Sequence, residues 1–482
     1  MCFKPVNTRK GANTGKMKRK RIFLTLAALA AAASAAACSH YSSKVEISVA
    51  TISKEKAEEQ NKILSEIYPD IKVNPSGYLY SEENFEEKAA NGETGDLIST
   101  WYTEIDKLID GDYVRDLTEF CKKYKLDSAI EPGLLEHVSR DGKIYAIPTT
   151  QYIQGLLINK NLFRRAGLVD ENGDIMFPKT YDELAEYAKI IKEKTGVSGF
   201  AMPSTSNDGG WHFMNIAWSY GVTFERQNAD GNWEAVFNSP EFVEALKYIR
   251  DLRWKYNVVP DNLYLDYKAM VKLYANDRLA MFFCPAPGQT LVEYENVDKD
   301  KLMFVRVPKG PKGRYAQMGG NVSMVMKSTS KEKTEACFKY MEAIGNLPVK
   351  PDNYLETLEK SLKEQKEKGL VVSPYHSQFE QYLKTNKWSN RDIDITDDIK
   401  KLYEKYSTVD KKSYEDFYSY EDVIISPEEP IACQELYHLL DVCIQTVLND
   451  KNANLEKLAE ETCNKFQREY LDPVNNAKKQ SQ

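Results

Sequence analysis

Histidine is scarce in this chain: five occur in 482 residues, His40, His137, His212, His376 and His438. No two are spaced as ligands on one helical turn, so the common helical zinc arrangements do not apply. Beyond Cys38 there is no H-E-x-x-H, C-x-x-C, G-x-S-x-G or phosphate loop. That removes the motif-borne hydrolases, dithiol oxidoreductases and nucleotide sites, and neither metal nor cofactor is expected. No internal apolar run reaches the roughly 18 residues that a membrane span needs. Acidic residues are plentiful, so the carboxylate pair of a glycosidase stays open, with Asp96 and Glu104 near Trp101 and Asp208 near Trp211.

Positive charge is also lacking once the first residues are set aside. The formal net charge is −7; residues 1–37 hold eight basic and no acidic residues, so the remainder carries −15. Such a surface argues against DNA, RNA or anionic lipid as a partner. The basic run Lys18–Arg21 is followed at once by the apolar "IFLTLAALAAAASAAAC", the layout of a secretory signal. Cys38 follows Ala35-Ala36-Ala37, similar to a bacterial lipobox with alanine where leucine is usual. Acylation of Cys38 is expected, placing the protein outside the cytoplasm and anchored to the membrane. Plain secretion and an uncleaved short anchor are the alternatives, and translation can start at Met1 or Met17. Export permits disulfides, but the other cysteines after the signal, Cys121, Cys284, Cys337, Cys433, Cys443 and Cys463, read as buried thiols. One local bridge between 433 and 463 is the alternative.

What is present is α/β text. Length implies two or three domains, and 42% apolar with 28% charged residues is ordinary for a folded protein. "KVEISVATI" alternates as a strand, Lys54–Ile67 carries a helical stripe and "IKVN" is a strand again, which is the opening of a parallel sheet. A helix is expected from Ser81 to Gly92 and a buried strand over Asp96–Trp101. Thr180 and Glu183 form a capping box, with Gly196 as the stop; Ser239-Pro240-Glu241 starts another helix. "NADGNW" reads as a hairpin rather than a calcium loop, since the twelfth-position Glu is missing. "RLAMFFCPAPG" is a strand breaking into a loop, "MGGNVSMVMK" a glycine pair feeding a strand, and Gln434–Tyr470 two helices.

The stretch "IYAIPTTQYIQGLLINK", Ile144–Lys160, reads as a strand, a short polar-aromatic bridge and a second strand. A bridge without a loop points to a hinge between two lobes. Aromatic and amide residues cluster in loop-like text nearby: Trp101-Tyr102, Gln151-Tyr152, Asn207, Asp208 and Trp211 in a glycine-rich turn, Phe283, and Asn321 after Gly319-Gly320. This mixture suits a sugar, whose C–H faces stack on rings and whose hydroxyls pair with amides and carboxylates. Trp218, seven residues after Trp211, is expected in the core, and a core position is the alternative for Phe283.

Several phrases in order resemble the extracellular solute-binding proteins of bacterial ABC importers, in the sugar-binding group that includes maltose-binding protein. They are "GDLISTW", "DGKIYAIPTTQYIQGLLINKNLFRRAGL", "PKTYDELAEYAKIIKEKTG", "GGWHFMNIAWSYG", "FNSPEFVEALKYIRDL", "LAMFFCPAPG" and "GGNVSMVMKSTSKEKTEACFKYMEAI". The resemblance implies a two-lobe α/β clamshell of periplasmic-binding-protein type. Its crossings fall near Pro148–Tyr152, Gly319–Ser323 and Leu347–Pro351. It implies lobes of 38–148 with 322–348 and of 149–321 with 349–482. By position Trp101 and Tyr102 match the strand-end aromatics of one lobe, Gln151 or Tyr152 a hinge contact, and Trp211 the aromatic of the other lobe. A tryptophan common after "LAMFF" is replaced by Cys284-Pro285-Ala286-Pro287, and residues 350–430 depart from the family text. The resemblance further implies a monomer that is not an enzyme, with a sugar or oligosaccharide ligand and importer permease subunits as partners. An exported carbohydrate-active enzyme and a binder of a non-sugar solute are the alternatives.

Overall fold

The computed structural model describes residues 44–481 apart from 82–83, 131, 287, 349–352, 376–395 and 420–421. The signal, Cys38, His40, His376, Pro287 and most of the third expected crossing lie outside the described residues.

The chain opens β-α-β. Strand β1 (Val45–Val49) and β2 (Ile71–Pro75) pair in parallel around helix α1 (Lys54–Ile67). Ser53 Oγ caps α1 by accepting from the Lys56 N–H at 3.1 Å. The next helix is shorter than its text suggests, Phe85–Ala90. Strand β3 (Leu97–Trp101) joins β1. Strand β4 (Ile147–Asn159) is followed by α2 (Tyr181–Thr195), whose Thr180–Glu183 capping box is present and whose C-cap Gly196 has φ 74°. Then come β5 (Ser198–Phe200), α3 (Asp208–Tyr220), the hairpin Glu225–Gln227 with Trp233–Ala235, and α4 (Pro240–Trp254). Strands β6 (Leu279–Pro285), β7 (Leu302–Val305) and β8 (Arg314–Val325) precede α5 (Lys331–Ala343). Strand β9 (Val423–Pro427), α6 (Cys433–Asn449) and α7 (Leu455–Phe466) close the chain, followed by a further helix, Asp472–Ser481.

Nine strands of the described residues share one sheet, in the order β2-β1-β3-β8-β4-β6-β5, with β7 on β4 and β9 on β8. The apolar side chains fall into separate cores. One collects residues from Ile47 to Ile147 and from Val322 to Leu347. A larger one collects Leu156 to Ala316 and Cys433 to Leu471, and a third beside it joins Phe282 and Phe304 to Tyr414 and Phe417.

The polar-aromatic bridge is no break between strands. β4 runs unbroken for 13 residues through Thr149–Tyr152. Its first half pairs antiparallel with β8 and its second half with β6 and β7. Backbone groups that a loop would leave to water are thereby satisfied within the sheet. Pro148 offers no N–H, and the register slips between Asn321 and Val322, opposite it. The two expected crossings, 148–152 and 319–323, therefore lie side by side, with Tyr152 opposite Gly319 and Gln151 opposite Gly320.

The six described cysteines, Cys121, Cys284, Cys337, Cys433, Cys443 and Cys463, are buried free thiols, so the local bridge does not form.

Candidate functional site

Where the crossing strands meet, two tyrosine rings, Tyr102 and Tyr152, lie against a glycine pair. A Cβ on Gly319 would stand 2.3 Å from the Tyr152 hydroxyl, and one on Gly320 would stand 2.7 Å from Tyr102 Cε2. Only glycine lets these two rings lie against β8.

Trp101 ends β3 and pairs with Asn321. Its ring is 41% exposed and braced edge-on by Tyr80, with centroids 5.7 Å apart. This is an open stacking platform. Tyr102 turns the other way: it is 5% exposed and joins the first core. Its hydroxyl is buried without a hydrogen-bond partner. Asn321 and Thr150 hold each other across the bulge, since Thr150 Oγ1 accepts from the Asn321 N–H at 3.1 Å and from its Nδ2 at 3.0 Å. Gln151 is half-buried, with Nε2 at 3.7 Å from Met318 Sδ.

From the second core, Trp211 sits at the start of α3. Its ring meets Tyr152 edge-on at 5.8 Å and Tyr267 at 5.8 Å. Its Nε1–H finds no acceptor of good geometry, although the Tyr152 oxygen lies beside it. Ser206 and Asn207 both have positive φ, 63° and 66°, and feed the chain into α3. Asp441 on α6 secures this strained entry: its carboxylate accepts from the Asn207 N–H at 2.8 Å and the Gly210 N–H at 2.9 Å. Asp208 accepts from the Tyr267 N–H at 2.7 Å. Burial pushes Asp208 up to about 7 and Asp441 up to about 6.

Phe283 is a correction. It is 1% exposed and packs against Tyr181 and Phe200 in the core. On a strand side chains alternate, and the bulky ring at 283 takes the α2 side, away from the cleft. Asp208 and Asn207 are likewise engaged within their own half, Asn207 Nδ2 donating to Gln434 Oε1 at 3.2 Å. Trp218 is buried, as expected.

Behind the rings lies a buried amide network. Asn215 Nδ2 donates to Gln154 Oε1 at 2.6 Å, and Gln154 Nε2 donates to Gln317 Oε1 at 2.9 Å. Gln317 Nε2 donates to the Tyr437 oxygen at 2.6 Å, and Tyr437 donates to Glu428 Oε1 at 2.9 Å. The network ties both crossing strands to α3 and α6.

Sequence reasoning missed the C-terminal contribution. Glu428, Glu429, Gln434 and Tyr437 reach the site because β9 adds to β8 and delivers α6 there. Glu428 and Glu429 are each pushed up to about 7 by burial. No spacing ties these residues to the hinge; the pair Glu428-Glu429 before Pro430 is the one local signal. The two sides touch: Gln434 Nε2 donates to Thr103 Oγ1 at 3.2 Å, and Lys107 stands 3.8 Å from Glu435. The crevice between them, lined by Tyr102, Asp106, His137, Glu428 and Glu429, has room for the centre of about one water, about 10 Å³. Among the described residues no group of three or more His, Cys, Asp or Glu is placed to hold a metal ion.

The family profile for the bacterial extracellular solute-binding protein matches residues 47–344, and the chain belongs to this family. A putative binding protein of Brucella abortus (strain 2308) is 26% identical over 229 residues, which is 47% of this chain and 51% of that one. The chain thus spans about half the length of the curated relatives it matches. Among solved structures, maltose-bound MalE3 of T. maritima is 20% identical, with a TM-score of 0.62, covering 88% of this chain and 99% of that one. UgpB of Mycobacterium tuberculosis, in complex with glycerophosphocholine, is 12% identical, with a TM-score of 0.63, covering 90% and 100%. These likenesses establish the periplasmic-binding-protein type of α/β fold. Among the described residues no helix is long and apolar enough to cross a membrane.

Proposed function

We propose that the chain captures a sugar or oligosaccharide between two lobes, 38–148 with 322–348 and 149–321 with 349–482, and presents it to an ABC importer. The supporting observation is that Trp101, opposite Asn321 on β8, and the Tyr152–Trp211 ring pair, opposite Gly319, flank the same two paired crossing strands. Stacked rings contribute on the order of 1 kcal/mol each beyond burial, and flanking amides and carboxylates supply hydrogen bonds. Trp101, Gln151, Tyr152, Trp211 and Asn321 face the ligand, Tyr102 supports the crossing at Gly320 from the first core, and Asn207 and Asp208 position Trp211. The crevice has room for about one water between the touching sides, so the lobes part to admit a ligand and close over it. The mature protein is a monomer held outside the cytoplasm by a lipid on Cys38. A thermal-shift series with maltose, maltotriose and other saccharides tests this reading. A ligand that binds only the folded form at about 100 times its Kd adds about 2.7 kcal/mol and raises Tm. No rise with any saccharide overturns it.

One observation favours a second reading, hydrolysis. Carboxylates pushed up by burial stand on both sides, Glu104 on one and Glu428 on the other. Both are already engaged, Glu104 by the Tyr80 hydroxyl at 2.5 Å and Glu428 by Tyr437. Free sugar released from an incubated oligosaccharide would decide for the enzyme.

A further inference from the structure

A chain of side-chain hydrogen bonds runs from one main core to the other, and it passes through Gln434. This residue is half-buried in the first turn of α6, with Cys433 and Leu436 beside it in the sequence and in the larger core. Its Oε1 accepts from Asn207 Nδ2 at 3.2 Å, on its own side. Its Nε2 donates across the crevice to Thr103 Oγ1 at 3.2 Å, and the residues flanking Thr103, Tyr102 and Glu104, are buried on the first side. Thr103 Oγ1 donates in turn to Glu104 Oε1 at 3.3 Å, and the Tyr80 hydroxyl donates to Glu104 Oε2 at 2.5 Å.

Each end of this chain reaches a tryptophan platform. Asn207 is the left-handed residue that feeds the chain into α3, which carries Trp211. Tyr80 braces the Trp101 ring edge-on. Gln434 is itself delivered by a second left-handed residue, Ala432 with φ 48°, a conformation unfavourable for a side chain with a Cβ. Neighbouring bonds hold that turn: the Ile431 N–H donates to Glu225 Oε1 at 3.2 Å and the Leu436 N–H to the Ala432 carbonyl at 2.9 Å. A primary amide offers an acceptor and a donor at one tip, so it can hold Asn207 and Thr103 together. The other polar contact between the sides, Lys107 with Glu435 at 3.8 Å, joins side chains 44% and 30% exposed and is weak by comparison.

We propose that Gln434 is the clasp of the crevice, a positioning residue that acts through Thr103 and Asn207 to hold the two sides together and to fix both tryptophan platforms in the same step. This rests on the capture of a ligand between the lobes. Parting the lobes breaks the Gln434–Thr103 bond and leaves each platform tied to its own core alone; closing restores it. The clasp therefore governs how long a ligand is retained rather than how fast it enters.

Two measurements on the full chain test it, the first without a ligand. Small-angle scattering reads the separation of the lobes. Gln434→Ala and Thr103→Val are each expected to raise the radius of gyration, and the double variant no more than either alone. Thr103→Ser keeps the hydroxyl and is expected to keep the parent radius; unchanged far-UV circular dichroism confirms folding. Stopped-flow tryptophan fluorescence with maltotriose then reads retention. Gln434→Ala is expected to speed dissociation on the order of fivefold, the loss of about one neutral hydrogen bond, with association unchanged. A radius unchanged in both single variants overturns the clasp, and leaves capture standing where maltotriose binds. Slowed association with unchanged dissociation also overturns it. A raised radius with no response to maltotriose supports the clasp and counts against capture of that saccharide.

Discussion

The two candidate aromatic platforms beside the crossing strands are built differently. The first presents Trp101, an exposed ring on a strand end, braced by one tyrosine. The second presents Trp211 on a helix whose entry is strained, then secured by Asp441 and backed by the Asn215–Gln154–Gln317–Tyr437 network. The first face can lose or change its ring with little effect on folding. In the second, the proposed ligand contact and fold stability share the same residues, so binding and stability should change together there. The crossing strands reflect this asymmetry. On the second side Gln154 and Gln317 are fully buried, while on the first Thr150 is exposed beside the bulge.

The sharpest way to break this contrast is Asp441→Ala. It removes the acceptor for the Asn207 and Gly210 N–H groups and should cost about 3 kcal/mol in denaturant unfolding. A loss below about 1 kcal/mol would show that the α3 entry stands without α6. Trp211→Ala should follow, costing about 2 kcal/mol in stability because the ring is half-buried against the core, and at least about tenfold in ligand affinity by calorimetry. Unfolding unchanged by this variant would place the ring in the cleft alone.

The protonation states sharpen the comparison without mutation. Glu225 is raised to about 9, and Glu428, Glu429 and Asp208 to about 7, all by burial on the second side. The folded protein therefore holds protons that the unfolded chain releases above its ordinary carboxylate range. Stability falls as pH rises from about 4 through about 7, and further towards about 9 through Glu225. Differential scanning calorimetry should give a Tm at about pH 5.5 that exceeds the value at about pH 8 by at least 2 °C; the reverse order would mean that these groups are solvated. Smallest of all, Trp101→Ala should move unfolding by less than about 0.5 kcal/mol while weakening the ligand several-fold. A stability loss equal to that of Trp211→Ala would erase the contrast.

Local signals were legible because their physics is local. The Thr180–Glu183 box, the Ser239-Pro240 start and the "NADGNW" hairpin each need only neighbouring residues, and each formed. The segment 148–152 was legible as a junction between strands, but not that it stays one strand, since that depends on β8, about 170 residues away in the chain. Phe283 was misplaced because strand alternation gives a side chain one face or the other, and only the assembled sheet says which. Glu428, Glu429 and Tyr437 were invisible for the same reason. They gain their place from β9 pairing with β8, a contact between segments with no shared local signal.

The glycine pair at 319–320 has a practical meaning for anyone reshaping this protein. Tyr152 presses on Gly319 and Tyr102 on Gly320, so a methyl group at either position would work as a shim under one ring. Alanine at either position should prop the mouth ajar, and a gain in radius by small-angle scattering would register it while the distant walls stayed intact.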